Sequence, residues 1–510
     1  MTTSRRARKK RGLTPAPRAR KSPDVSTARK RLLSLLDEGT FQELGLLVAP
    51  GSQDFGLREM RIPGDGVIAG TGRIDGSDVC VFSQESAALG GSLGRAHARK
   101  ICRVMELAYE NRVPLIGLFD SGGARVQEGV ASLDGCAEIV HRSVKCSGVV
   151  PRLSLVLGPC AGVAAYPAAL ADFVFMIEGA SSMFAAGPEA VEAATGGKVS
   201  PEELGGAVTH ASTSGLCHFL ARSESECFRQ ARELLSYLPP NRDESPPRVN
   251  ADGSGADPAR RATRLMDALC RTKAPESYDV RDVVREIADD GGLSEVMRDY
   301  AQNMTTGFIR LGGEVVGVVA NNPARLEGAV DIAGSDKASR FVRLLDSFNT
   351  PILTLVDSPG VRPGLEQERA GVVRHGAELM RAYSQAGVPK VTFVLRKAYG
   401  NGYIAMSSKH LGGDFNFALP CAEIAVMAPS AAVEGLFSKR IRETAPAKRE
   451  ALRAELAERY KQEHATPYQA AANGSLDEVI EPGQARPELI RAFRFLKDKR
   501  RPGGRAGRKP

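Results

Sequence analysis

The chain has 510 residues, 42% of them hydrophobic and 53 of them glycine, which suits an α/β enzyme of two or three domains rather than a fibrous or disordered chain. It contains no apolar run of about 18 residues, so no membrane span is expected. The net charge of +9 belongs to the ends: residues 1–31 hold twelve Lys/Arg and residues 497–510 hold seven, and without them the body is near −8. That distribution argues against a basic nucleic-acid-binding face on the folded body.

In chain order, residues 1–26 read as a disordered, solubilising basic tail around Pro15, Pro17 and Pro23. The first thirty residues lack an apolar signal core, so a cytoplasmic protein is expected. The nine cysteines are scattered, with no CxxC pair. Reduced thiols are therefore expected rather than a zinc ribbon or a disulfide framework. The absence of HxH or HExxH spacing gives no support to a metal site.

The first folded unit spans 27–238. Within it Ile101, Val104, Met105 and Ala108 make an i, i+3, i+4, i+7 stripe, which predicts an amphipathic helix. PLIGLF at 114–119 then predicts a buried strand, followed by the glycine turn DSGGAR. A second buried strand, LSLVLG at 153–158, runs into CAGVAAY. The Pro-, Gly- and Asp-rich stretch 239–260 reads as an interdomain linker.

The second unit, 261–500, repeats the first. Gly91, Lys100, Pro114, Asp120, Ser121, Gly123 and Arg125 recur as Gly328, Lys337, Pro351, Asp357, Ser358, Gly360 and Arg362, each 237 residues later. The period is too long for a solenoid, so the chain carries a duplicated domain. Ala338, Phe341, Val342 and Leu345 form the second stripe, PILTLV at 351–356 and VTFVLR at 391–396 the strands, and DSPGVR and AYGNGY the turns. Alternating strand and helix predict a largely parallel sheet in each half. Residues 441–463 read as a charged surface or subunit-contact helix, and 501–510 as a basic tail.

A glycine turn between a buried strand and a helix lets backbone N–H groups approach a ligand closely. Two such groups aimed at one oxygen make an oxyanion hole, and a duplicated domain offers two holes. Glu128, Glu366 and Glu368 follow the turns as candidate general bases, although helix-start carboxylates answering the dipole explain them as well. His97 and His375 read as structural, and Arg362 as pointing to water.

The motifs FSQESAALGGSL (82–93), DSGGARVQEGV (120–130), GPCAG (158–162), EELGGAVTH (202–210), DSPGVRPGLEQE (357–368), RHGAELM (374–380), RKAYGNGY (396–403) and DFNFALP (414–420) resemble the acyl-CoA carboxylase β-subunit family, of propionyl- or acetyl-CoA carboxylase type. These are biotin-dependent carboxyltransferases, and the resemblance covers about Thr27 to Arg500. It implies two duplicated crotonase-like (ClpP/crotonase superfold) α/β domains, the first facing acyl-CoA and the second facing biotin. It also implies a homo-oligomer, a hexamer, with the active site between protomers paired head to tail.

Carried over residue by residue, Gly162 and Val163 hold the thioester oxygen, and Asn401 and Gly402 the biotin ureido oxygen. Gly122 and Gly123 line the acyl-CoA side and Gly360 the biotin side, while Tyr403 and Ile404 shape the acyl pocket. Ile404 suggests an apolar wall and a short-chain acyl group. Val163 departs from the family's Gly-Gly pair; as a β-branched residue it would distort the hole if that position needed φ > 0, whereas Asn401 tolerates that region. The chain has no Met-Lys-Met biotinylation segment and no Walker-type loop, so the resemblance implies a biotin carboxylase and a biotin carrier subunit as partners. The same pattern runs in reverse in biotin-linked acyl-CoA decarboxylases, and a catalytically reduced scaffold paralogue is a further alternative.

Overall fold

The computed structural model describes residues 26–50, 62–249, 263–271 and 277–499. The basic tail through residue 25, the tail from 501 and the linker positions 250–260 lie outside the described residues.

Each half is built on one eight-stranded sheet among the described residues. The first contains β1 (Gln42–Leu44), β2 (Val67–Ile74), β3 (Ser77–Gln84), β4 (Leu115–Ser121), β5 (Arg152–Ala161), β6 (Phe173–Ile177), β7 (Ser182–Phe184) and β8 (Phe219–Ala221), in the order β1-β2-β3-β4-β5-β6-β8 with β7 on β5. The second contains β9 (Ser294–Val296), β10 (Met304–Leu311), β11 (Glu314–Asn321), β12 (Ile352–Ser358), β13 (Lys390–Tyr399), β14 (Phe415–Ala418), β15 (Glu423–Ala425) and β16 (Glu478–Val479). It repeats the plan with order β16-β14-β13-β12-β11-β10-β9 and β15 on β13.

The predicted strands are β4, β5, β12 and β13. All seven residues of β4 and all seven of β12 are buried, as expected of parallel strands covered on both faces. Pairing is parallel from β3 through β4, β5 and β6 to β8, and from β11 through β12 and β13 to β14. The entry to each sheet is an antiparallel hairpin, β2–β3 and β10–β11, which the helix–strand alternation did not reveal. The two predicted helices are Arg95–Asn111 and Ile332–Ser347, and both stripes are buried. Each is the crossover that a parallel strand pair requires.

The two halves share one hydrophobic core, in which Phe173 of β6 meets Phe308 of β10 at a ring-centroid distance of 6.2 Å. The Met297 N–H donates to the His218 carbonyl (2.9 Å), and the Arg340 guanidinium to that of Ala171 (3.3 Å). The part of the connecting segment before residue 250 is strapped down rather than free. The Arg242 N–H donates to the Val149 carbonyl (3.0 Å) and the Val249 N–H to that of Gly313 (3.1 Å).

Gly91 and Gly328 explain one of the repeated identities. Both have positive φ, +66° and +76°, and a Cβ at either would overlap the carbonyl oxygen at the end of the central strand, Asp120 or Asp357. Gly91→Ala is therefore expected to destabilise the first half by about 2–4 kcal/mol, through strain and overlap together. Urea unfolding followed by circular dichroism checks this.

Candidate functional site: two equivalent glycine turns

The turns form where the central strands of each sheet end. In both sheets the parallel register slips by the same step just before the turn, to Ser121 opposite Cys160 and to Ser358 opposite Ala398. Beyond the slip lie Ser121-Gly122-Gly123 beside Ala161-Gly162-Val163, and Ser358-Pro359-Gly360 beside Tyr399-Gly400-Asn401.

Gly162 has φ +58° and Gly400 φ +51°, each preceded by an extended residue and followed by a helical turn. Val163 and Asn401 are absent from the positive-φ residues. The left-handed step falls on the glycine ahead of each, so the β-branched side chain of Val163 meets no backbone penalty. The sheet register thus matches Gly162 to Gly400 and Val163 to Asn401, and Ala164 to Gly402. Gly400, which the sequence reading did not single out, carries the strained conformation in the second half. Its signal was available in the alignment of CAGVAAY with AYGNGY, shifted by one residue from the 237-residue repeat.

The leading N–H groups of a helical turn have no acceptor inside it. In the first half Val163 and Ala164 occupy that place, and in the second Asn401 and Gly402. Asn401 is exposed and Gly402 buried. Gly402 lacks a side chain for a packing reason, since a Cβ there would come within 2.8 Å of the Gly360 Cα.

The partner turns play a different part. The Gly122 N–H donates to the Gly90 carbonyl at 2.8 Å, and the Gly123 and Gly360 N–H groups each donate to the preceding serine hydroxyl, Ser121 or Ser358, at 3.2 Å. Their donors are engaged, so what they contribute is close approach. Gly123 (φ +103°) and Gly360 (φ +122°) keep side chains away from that surface.

Both turns are anchored by the aspartate that ends the strand. Asp120 pairs with Arg31 (2.8 Å) and accepts the Ser86 hydroxyl (2.9 Å). Asp357 pairs with Arg396 (3.1 Å) and accepts the Tyr278 hydroxyl (2.9 Å). Burial pushes Asp357 above the usual carboxylate range against the pull of Arg396, and Tyr278 well above its ordinary value. Gly158 stands where the second half has Arg396; a Cβ there would meet the Asp120 carboxylate at 2.5 Å. Each half supplies its aspartate with an arginine by a different route.

The candidate bases are accounted for. Glu128 accepts the Arg95 N–H (2.7 Å) and pairs with Arg125 (2.9 Å); Glu366 and Glu368 are exposed. His375 bonds Asp336 at 2.6 Å. Tyr403 packs its ring against the core, whereas Ile404 is exposed, as is Tyr166 at the matching position of the first half. Arg362 is exposed, as expected, with Asp331 3.9 Å away.

His97 is fully buried, bonded through Nδ1 to the Asp65 carbonyl (2.9 Å) and facing Gln84 through Nε2. Desolvation and the nearby Arg125 charge lower its pKa to about 3. Between about pH 3 and the ordinary value of 6.5 the unfolded chain binds the extra proton, so this part of the stability falls as pH drops through that window. The expected slope is up to about 1.4 kcal/mol per pH unit, and His97→Gln should remove it. Urea midpoints of both proteins at pH 7 and pH 5 measure the difference.

Comparison with known proteins bears on these turns. Residues 22–507 match the carboxyl transferase domain family. The chain is 48% identical over 475 residues to the propionyl-CoA carboxylase carboxyltransferase subunit of Haloferax mediterranei, covering 93% of this chain and 91% of that protein. It is 44% identical over 475 residues to the methylmalonyl-CoA decarboxylase subunit alpha of Propionigenium modestum, covering 93% and 90%. Among solved structures, the hexameric transcarboxylase 12S core with hydrolysed methylmalonyl-coenzyme A bound superimposes with a TM-score of 0.89 at 42% identity, covering 95% of this chain and 92% of that one.

Proposed function

The chain belongs to the carboxyl transferase family, an acyl-CoA carboxyltransferase built on two crotonase-like halves, and from that premise we propose that it moves CO2 from carboxybiotin to the α-carbon of a short-chain acyl-CoA. The observation that carries this reading is the repetition of one backbone device: Gly162 and Gly400 take the same left-handed step after equivalent strands, and each leads into a turn of N–H groups.

Two oxygens gain negative charge in such a transfer, the thioester oxygen and the ureido oxygen. Preorganised N–H donors stabilise developing charge without reorganising. In this assignment the Gly162-Val163 turn holds the thioester oxygen of the acyl-CoA, with Gly122 and Gly123 forming the wall beside it. The Asn401-Gly402 turn receives the ureido oxygen, with Gly360 behind it; exposed Asn401 and a side-chain-free Gly402 suit close approach by a ring. Carboxybiotin supplies the CO2 and, after releasing it, the base for the α-proton. The protein's own residues then orient the thioester, stabilise its enolate oxygen and exclude water; no side-chain base is needed, in keeping with Glu128 being held by Arg125 and the Arg95 N–H.

The acceptor is assigned as propionyl- or acetyl-CoA, with Ile404 giving an apolar wall. The biotin comes on a carrier subunit together with its carboxylase. Exposed apolar side chains in the segments leaving both turns, Val126, Val130 and Tyr166 on one side and Leu365, Ile404 and Val426 on the other, favour burial against a second copy. Head-to-tail pairing within a hexamer would set the acyl-CoA turn of one protomer opposite the biotin turn of its partner.

The test supplies purified chain with carboxylated biotin carrier and acetyl-, propionyl-, butyryl- and branched acyl-CoAs. Labelled CO2 should pass to a short-chain acceptor; transfer to none of them overturns the reading. A second reading, decarboxylation through the same site, rests on the 44% identity to the decarboxylase subunit. It predicts net loss of CO2 from methylmalonyl-CoA to a biotin carrier in place of net gain by propionyl-CoA.

A further inference from the structure

The central strands of both halves end on an aspartate, but the two aspartates are held in different ways. In the second half β13 holds Asp357 by itself. Asp357 accepts the Lys397 N–H (3.1 Å) and pairs with Arg396 (3.1 Å), both on β13 just ahead of Gly400. The strand register matches Gly158 to Arg396 and Pro159 to Lys397 in the first half. Glycine brings no side chain there, and proline has no N–H to donate. The Asp120 carboxylate lies over β5 instead, in the space that a side chain at Gly158 would take, and accepts the Ser86 hydroxyl at 2.9 Å.

The cation that β5 does not supply comes from outside the sheet. Arg31 lies on helix Thr27–Leu35, which Leu32 and Leu35 anchor in the shared core. Its Nη1 donates to Asp120 Oδ2 at 2.8 Å, while its Nε and Nη2 reach Glu224 at 2.9 and 2.7 Å. Arg31 is 8% exposed and Asp120 7%, so the pair is largely withdrawn from water. We propose that Arg31 is a positioning residue for the acyl-CoA half of the reaction: through Asp120 it sets the spacing of β4 and β5 where they run out into Gly122-Gly123 and Gly162-Val163.

This inference rests on the assignment of the thioester oxygen to the Gly162-Val163 turn. An oxyanion donor works only when it is aimed at the place where charge develops. Asp120 immediately precedes Ser121-Gly122-Gly123, and its carboxylate lies over β5 one helical-turn length of chain before Gly162. Without Arg31 the buried carboxylate keeps the Ser86 hydroxyl but loses its charge partner, and its seat on Gly158 loosens. Lysine does not replace Arg31, because one ammonium cannot reproduce a planar fork that holds Asp120 on one side and Glu224 on the other.

The experiment reads the thioester directly. Propionyl-CoA isotope-labelled at its thioester carbonyl is bound to the intact protein and followed by infrared difference spectroscopy. Binding to wild type should shift the carbonyl stretch to lower frequency, and Arg31→Lys and the charge-neutral double variant Arg31→Met/Asp120→Asn should each lose most of that shift. In steady-state transfer both should lower kcat by about 10–100-fold at saturating propionyl-CoA, with the KM for the carboxylated biotin carrier unchanged. Arg152→Lys controls for simple destabilisation: it alters another buried arginine, paired with Asp172 at 2.8 Å at the far end of β5, and should keep the full shift. Far-UV circular dichroism verifies folding, and Arg31→Lys decides alone if the double variant does not fold. A carbonyl unshifted in wild type removes the thioester from this turn and the proposal with it. A wild-type shift that the Arg31 variants keep, or that Arg152→Lys loses equally, overturns the part assigned to Arg31 and leaves the oxyanion assignment standing.

Discussion

Val163→Pro is expected to lower kcat by about 10²–10³-fold while Val163→Ala stays within a few-fold of wild type, because in the proposed assignment the group at work is the backbone N–H and not the side chain. Proline is the substitution that deletes that donor, and the first turn of a helix tolerates its ring and its missing N–H better than any other helical position. Val163 lies in that turn, directly after Gly162, and has no positive φ for proline to violate. Val163→Gly should bring no gain, since the left-handed step is already taken by Gly162 at φ +58°. Asn401→Pro against Asn401→Ala repeats the comparison in the second half. Steady-state kinetics with saturating acyl-CoA separates the cases: a lost oxyanion donor lowers kcat with little change in KM, whereas a distorted pocket raises KM. Equal losses in the proline and alanine variants would remove the oxyanion assignment from that turn.

The largest expected effect on stability is at Arg125. Its side chain is fully buried and pairs with Asp65, also fully buried, and with Glu128 at 2.9 Å, while its Nη2 reaches the Ser92 carbonyl at 2.9 Å. Removing it strands two carboxylates in the interior. Arg125→Ala should cost about 3–5 kcal/mol, the cost of an uncompensated buried charge rather than the net worth of the pairs. Adding Asp65→Asn to Arg125→Met should recover part of that loss by removing one of the stranded charges. The same substitution at the repeated position, Arg362→Ala, should stay within about 0.5 kcal/mol, because Arg362 is exposed and stands 3.9 Å from Asp331. Urea unfolding of the three variants side by side provides the measurement, and equal losses at Arg125 and Arg362 would refute the contrast.

Much of the fold was legible because the signals are local and repeated. An apolar run covered on both faces can only be a buried strand, an i, i+3, i+4, i+7 stripe only a helix lying on it, and the 237-residue repeat made each half a check on the other. The glycines were legible as turns, and Gly123, Gly162 and Gly360 do take conformations that other residues avoid. The antiparallel hairpins were not, because β2 and β10 carry no period distinguishing them from the parallel strands beside them. The condition attached to Val163 stayed open in the sequence, which shows that a left-handed step is needed nearby but not that Gly162 takes it.

Identity in the repeat did not decide fate. Lys100 and Lys337 kept one job, each bracing backbone carbonyls: Val67 at 2.6 Å for the first, Met297 and Tyr300 at 2.8 and 2.7 Å for the second. Arg125 and Arg362, equally identical, went to the interior and to the surface. Sequence alone therefore determined the duplicated strand–turn–helix plan and the places where the glycine turns fall, since backbone conformation is set by residues close along the chain. Only the tertiary structure decided which charges are buried and which aspartate meets which arginine. Burial and pairing depend on partners brought from far along the chain, such as Asp65 to Arg125 across 60 residues and Arg31 to Asp120 across 89.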